Sequence, residues 1–140
     1  MKMLLGEYRH SLVEGKRISL PKKIREKIAG DAVILSKGFE SYVAGFDSEQ
    51  WEKTAEAPLN IPLYDERGRT LRRQFFASAV SSEIDEQGRI LLPESLLSAA
   101  NIKGGEVIVI GAGDHFEIWD PALWQEQSEK VSKEVVSGNR

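Results

Sequence analysis

No cysteine occurs among the 140 residues. That absence excludes disulfides, thiolate metal ligation, iron–sulfur ligation and cysteine nucleophiles together. Histidine is almost as scarce. His10 and His115 stand far apart, without the His-x-x-x-His pairing a zinc site would use. No Gly-x-x-x-x-Gly-Lys phosphate loop is present, and Lys37-Gly38 and Gly104-Gly105 do not supply one. Ser81-Ser82 has no base placed to activate it, and Glu83 and Asp85 alternate as a solvated strand face would. No apolar run approaches the roughly 20 residues of a membrane helix. Charge interrupts the stretch from Met1 to Arg9 too soon for a signal peptide. The pattern predicts a cytoplasmic, non-enzymatic chain with no cofactor, no metal, no membrane partner and no small-molecule substrate.

What the chain does contain is ordinary in amount and uneven in placement. Hydrophobic residues make up 41% and charged residues 29%, a mix suited to one domain with a modest core. The net charge of -3 conceals a division. Residues 1–30 carry eight basic groups against three acids, residues 31–82 six against eight, and residues 83–140 five against eleven. A polyanion therefore fits one face of the molecule better than the whole.

The order of residues repeats after about 72 positions. Leu12-Val13-Glu14-Gly15-Lys16-Arg17-Ile18-Ser19-Leu20-Pro21 aligns with Ile84-Asp85-Glu86-Gln87-Gly88-Arg89-Ile90-Leu91-Leu92-Pro93. A short amphipathic stretch follows each proline, then an apolar run, a glycine-containing turn, and a segment closing on Phe46-Asp47 or Trp119-Asp120. Each copy ends in a helix-like segment holding Trp51 or Trp124. Gly88 suits a turn position of positive φ, and Asp85 can bond the loop backbone. Pro93 and Glu94 suit a helix start, while Asp120-Pro121 reads as an N-cap followed by proline. A unit this small seldom buries enough apolar surface alone, so the two copies are expected to share one β core about a pseudo-two-fold. Between them Pro58, Asn60 and Pro62 predict a loop. Asp65 to Ala79 predicts a helix, with Leu71, Phe75 and Phe76 packed and Arg67, Arg69, Arg72 and Arg73 in solvent.

Gly6-Glu7-Tyr8, the loop ending in Arg17 before an apolar strand and Pro21, and then Arg25 resemble the opening of the MraZ family. Asp85-Glu86-Gln87-Gly88-Arg89 is similar to that family's Asp-x-x-x-Arg signature, and the likeness continues through Phe116-Glu117-Ile118-Trp119-Asp120 and Trp124. The resemblance implies an α+β fold, mainly β: a double swapped-hairpin barrel of the AbrB/SpoVT kind, built from two tandem repeats with peripheral helices. It implies a bacterial transcriptional regulator that represses its own cell-division and cell-wall operon by binding direct repeats in double-stranded DNA. It further implies a ring-shaped homo-oligomer associated with the nucleoid. The first loop departs from the family's Asp-x-Lys-Gly-Arg. Here Val13 replaces the aspartate, and Gly15 and Lys16 stand in exchanged order. A different turn geometry is expected, with Glu14 as the alternative acid and Lys16 as the alternative base contact.

The expected organisation is a first repeat at 1–56, a linker and helix at 57–79, a second repeat at 80–132 and a flexible tail at 133–140. DNA contact is expected from the first repeat, with Arg17 at its centre and Lys16 beside it. Arg9, Lys22, Lys23 and Arg25 would attract phosphate. Each of these cations could equally be a solvated surface group. Asp85, Gly88 and Arg89 are expected to shape their own turn, since Glu83, Glu86 and Glu94 make that loop a poor surface for phosphate. Two other readings stay open: an antitoxin-like regulator of the same barrel class, and a structural ring without specific DNA binding.

Overall fold

The computed structural model of the chain describes residues 2–13 and 16–138, so the expectation for Glu14 lies outside the described residues. The first half runs β1 (Glu7–Ser11), β2 (Arg17–Ser19), α1 (Lys22–Arg25), β3 (Ala32–Lys37), β4 (Val43–Phe46) and α2 (Ser48–Asn60). After α3 (Glu66–Ala77) the same order returns as β5 (Val80–Glu83), β6 (Arg89–Leu91), α4 (Glu94–Ala99), β7 (Glu106–Gly111), β8 (Phe116–Trp119) and α5 (Pro121–Gly138). Helix α5 thus extends through the first part of the segment expected to be a tail. None of the described helices is long and apolar enough to cross a membrane.

The sheet order, β1-β7-β8-β4-β3-β5, reads the same backwards when each strand is exchanged for its counterpart in the other half. Registers obey the same rule. Ser11 faces Glu106 and Glu83 faces Ala32, which are equivalent pairs. Ala44 faces Glu117 in the middle of the β4–β8 pair, and Ile18 faces Ile90 in the middle of a separate β2–β6 ladder. An internal two-fold therefore passes through both pairs. Each half lends its first strand to the other.

The two sheets do not close into the expected barrel. Closure would need ladders from β1 to β2 and from β5 to β6. At the first corner a single bridge joins Val13 to Arg17. Between β5 and β6 a side chain replaces the backbone pairing: Ser82 Oγ donates to Leu91 O at 3.0 Å and accepts from Leu91 N at 3.2 Å. The hydroxyl satisfies both of that residue's backbone groups, so the strands approach without zipping.

One core lies between the large sheet and the β2–β6 ladder with α1 and α4. Ile18, Ile24, Val33, Leu35, Ile90, Leu96, Val107 and Phe116 are buried in it. The opposite sheet face carries a second cluster of Tyr42, Phe46, Phe75 and Trp119, covered by α2, α3 and α5. Phe75 stacks on Trp51 with ring centroids 4.5 Å apart, so this phenylalanine is a packing group. Buried Asp47 caps α2 by accepting from Gln50 N at 2.9 Å, and its other oxygen accepts from Ala29 N at 3.1 Å and pairs with Lys2. The connection to α3 is shorter than the prolines predict, because Pro58 lies inside the last turn of α2. Arg72 makes that ending possible by donating to Leu59 O at 3.1 Å and Ile61 O at 3.3 Å.

His115 stacks on Phe46 in the outer cluster and lies 2.7 Å from Asp114 and 2.8 Å from Glu117. Burial resists its charge, but the two carboxylates outweigh burial and hold its pKa above the ordinary 6.5. The folded state therefore gains stability that is complete below pH 6.5 and lost as pH rises through the higher folded value. Melting temperature measured across this window should fall with rising pH, and His115→Gln should remove that component.

The strand exchange makes a second prediction. Residues 1–56 alone lose β7, β8 and β5 as partners for β1, β4 and β3. By circular dichroism and sedimentation that fragment should be unfolded or self-associated; a monomer with a cooperative melt would contradict the exchange. At the central pair, a Cβ on Gly45 would run into the Phe116 ring. Gly45→Val should therefore lower unfolding free energy by about 1–3 kcal/mol or more in urea titration.

Candidate nucleic-acid interface

The β2–β6 ladder alternates as a ribbon with one buried face. Ile18 and Ile90 point into the core, while Arg17, Ser19, Arg89 and Leu91 belong to the outward set. Arg17 is opposite Leu91 and Arg89 is opposite Ser19. The two arginines are thus diagonal neighbours on one face, roughly 7–8 Å apart by ribbon geometry.

At the described positions the two loops share their backbone hydrogen bonds despite different sequences. Val13 N donates to Arg17 O at 2.8 Å, as Asp85 N does to Arg89 O at 2.9 Å. Lys16 N donates to Val13 O at 3.0 Å, as Gly88 N does to Asp85 O at 2.9 Å. Lys16 has φ 61° where Gly88 has φ 79°. Lysine thus takes the left-handed position that glycine holds in the second loop, and Gly15, the other residue of the exchange, lies outside the described residues. In the second loop Asp85 also accepts from Gln87 N and Arg89 N, both at 2.9 Å, and its other oxygen accepts from Arg89 Nε at 3.0 Å. The Arg89 backbone N–H leads the causes holding the Asp85 pKa below the usual carboxylate value.

Sequence neighbours are not the loops' spatial neighbours. Leu92 N donates to Lys16 O at 2.9 Å, and Leu20 N donates to Gly88 O at 2.9 Å, so each loop is held by the other half. Lys16 Nζ lies 2.8 Å from Glu94 at the start of α4, and this bond pulls the Glu94 pKa down. Arg25 of basic α1 instead reaches the second loop: a Cβ on Gly88 would lie 3.9 Å from its Nε. That Nε is buried without a hydrogen-bond partner among the described residues. Lys22 and Lys23 are exposed on α1. Arg9 lies farther off on the large sheet, 3.4 Å from Glu106. Across an antiparallel ladder the basic α1 therefore borders the acidic second loop, and acidic Glu94 borders the basic first loop. Charge counted along the chain could not show this crossing. The register could, once Ile18 and Ile90 were paired.

Among the described residues no cluster of three or more His, Asp or Glu side chains is arranged to hold a metal ion. The left-handed Lys16 supplies a direct test of the first loop. A non-glycine residue there costs about 1–2 kcal/mol, whereas its exposed, solvent-screened pair with Glu94 offsets little of that. Lys16→Gly should raise unfolding free energy by about 1 kcal/mol in denaturant titration, and a loss of stability would contradict the turn assignment.

The MraZ family model, whose description is of an antitoxin-like protein, matches residues 3–74 and again 75–138. A transcriptional regulator MraZ of Roseiflexus sp. (strain RS-1) is 36% identical over 123 residues, covering 88% of this chain and 85% of the relative. Another, of Caldicellulosiruptor saccharolyticus, is 37% identical over 137 residues, covering 96% of this chain and 94% of the relative. A solution structure from Pyrococcus horikoshii is 19% identical, covers 83% of this chain and 96% of its own, and superposes with a TM-score of 0.37, too low to carry an argument. With both repeats matched and relatives this similar over nearly the whole length, the chain belongs to the MraZ family.

Proposed function

We propose that this protein is a non-enzymatic transcriptional regulator that binds double-stranded DNA through the outward face of the β2–β6 ladder. The observation that carries the reading is the diagonal pair of half-buried Arg17 and Arg89 on the outward face of the ribbon. A two-stranded ribbon fits the major groove, and an arginine there can bond a guanine edge with two hydrogen bonds. The regulator names of the relatives support the same role. In this reading Arg17 makes the base contact, and Arg89, tied to Asp85, fixes the second turn. Lys22 and Lys23 attract phosphate from α1, and Arg25 braces α1 against Gly88. Lys16 and Arg9 reach phosphate by leaving exposed ion pairs that hold them only weakly.

The finer reading follows the family likeness. The protein represses its own cell-division and cell-wall operon, binds direct repeats as a ring-shaped homo-oligomer in the cytoplasm and associates with the nucleoid. The exchanged strands support regarding the fold as an opened form of the AbrB/SpoVT swapped-hairpin barrel. The split of charge between the first thirty residues and the last fifty-eight supports head-to-tail contact between copies.

The test is a titration of labelled upstream DNA and a shuffled control over a salt series. Loss of one good base contact costs about 1–3 kcal/mol, and repeated contacts in an assembly multiply the loss. Arg17→Ala should abolish specific binding and leave the assembly intact. Lys23→Ala should weaken binding to both DNAs and reduce the salt slope by about one. Arg89→Ala should lower the melting temperature. Wild-type affinity in Arg17→Ala would overturn the reading, and loss of DNA binding by Arg89→Ala without a change in melting would move the base contact to the second loop.

A further inference from the structure

The internal two-fold makes α5 the counterpart of α2, with Trp124 in the place of Trp51. The two helices are not treated alike. Helix α2 is followed by α3, which lays Phe75 on Trp51. Trp124 of α5 instead lies against Trp119, with ring centroids 5.5 Å apart. Asp120 starts α5 by accepting from Ala122 N at 3.1 Å and Leu123 N at 3.2 Å, and Leu123 and Trp124 pack on the outer cluster. Gln127 makes one more tie to the body, donating to Glu40 at 3.2 Å. From residue 129 to residue 135 every side chain is exposed. Trp124, Ser128, Val131 and Val135 form one stripe at helical spacing, and its outer half, Val131 and Val135, is 46% and 57% exposed.

The apolar surface that this stripe lacks is present elsewhere on the chain. Between α2 and α3 lies a groove of about 250 Å³, lined by Phe39, Ala57, Pro58, Ile61, Leu71 and Phe75. Its walls have the same spacing as the stripe: Leu71 and Phe75 are one turn apart, as are Val131 and Val135. Phe39 at its side is 65% exposed, and Leu59, Leu63 and Tyr64 at the tip of the helix pair are 51%, 63% and 87% exposed. Charge agrees. Helix α3 carries four arginines against one glutamate, and Arg67, one turn before Leu71 in sequence, is exposed and held only by a surface pair with Asp65 at 3.1 Å. Helix α5 carries three glutamates against two lysines, and Glu134 borders its valine stripe. Since α5 is one unbroken helix, its distal turns cannot fold back into the groove of their own chain.

We infer that the α2–α3 groove receives the distal turns of α5 from a second copy of this chain, with Val131 and Val135 against Leu71 and Phe75 and Glu134 beside Arg67. This contact rests on the homo-oligomer proposed above and names the surface that builds it. A stripe on one copy meeting a groove on the next is a head-to-tail contact, which closes into a ring when the rotation allows.

The absence of native cysteine makes the test clean. Val131→Cys and Ala57→Cys chains are purified separately, mixed, and exposed to mild oxidant; both positions are exposed, so neither change threatens the fold. Disulfide-linked pairs should form in this mixture and not when Ala57→Cys is replaced by Ser95→Cys on α4. Light scattering of a Val131→Glu, Val135→Glu chain should show loss of the wild-type assembly with an unchanged circular dichroism spectrum. An assembly of wild-type size in that variant, or no cross-link while the wild type remains oligomeric, overturns this contact and leaves the oligomer standing. A wild type that is monomeric at micromolar concentration overturns both.

Discussion

Everything in this molecule depends on the pairing of Ile18 with Ile90 across the internal two-fold. Both side chains are fully buried, and they fasten two short strands that could not persist as an isolated ribbon. Their burial closes the core under the large sheet. The same pairing sets the register that brings Arg17 and Arg89 to one outward face. Stability and the proposed recognition surface thus come from opposite faces of the same three-residue strands.

The exchange of strands explains why the repeat is not a pair of domains. β1 is paired to β7 and β5 to β3, so neither half owns a complete sheet. It also crosses the charges. The basic α1 approaches the second loop, and Glu94 meets Lys16 of the first. An electrostatic surface built this way mixes residues from both repeats, although the chain's charge is segregated along its length.

Much of the fold was legible because duplication doubles every signal. The proline after each loop, the apolar runs and the aromatic–aspartate endings occur twice, and Asp47 and Asp120 both cap helices. Other features follow from tertiary contacts that local patterns do not contain. Pro58 looks like a loop residue until Arg72 caps the carbonyls around it. At one of the two open corners Ser82, an unremarkable strand serine, occupies both backbone groups of Leu91 in place of a ladder. In the interface, the residue types of the two loops are visible in the sequence. The left-handed backbone of Lys16 is not, since that conformation favours glycine.

Amide hydrogen exchange on the intact protein, with and without its upstream DNA, tests the recognition surface most directly. The account predicts that DNA slows exchange chiefly in residues 16–23 and 85–91, the ladder with its loops and the start of α1, while the α2–α3 pair is unchanged. Protection centred on α2, α3 or the outer sheet face, with the ladder unaffected, would contradict it.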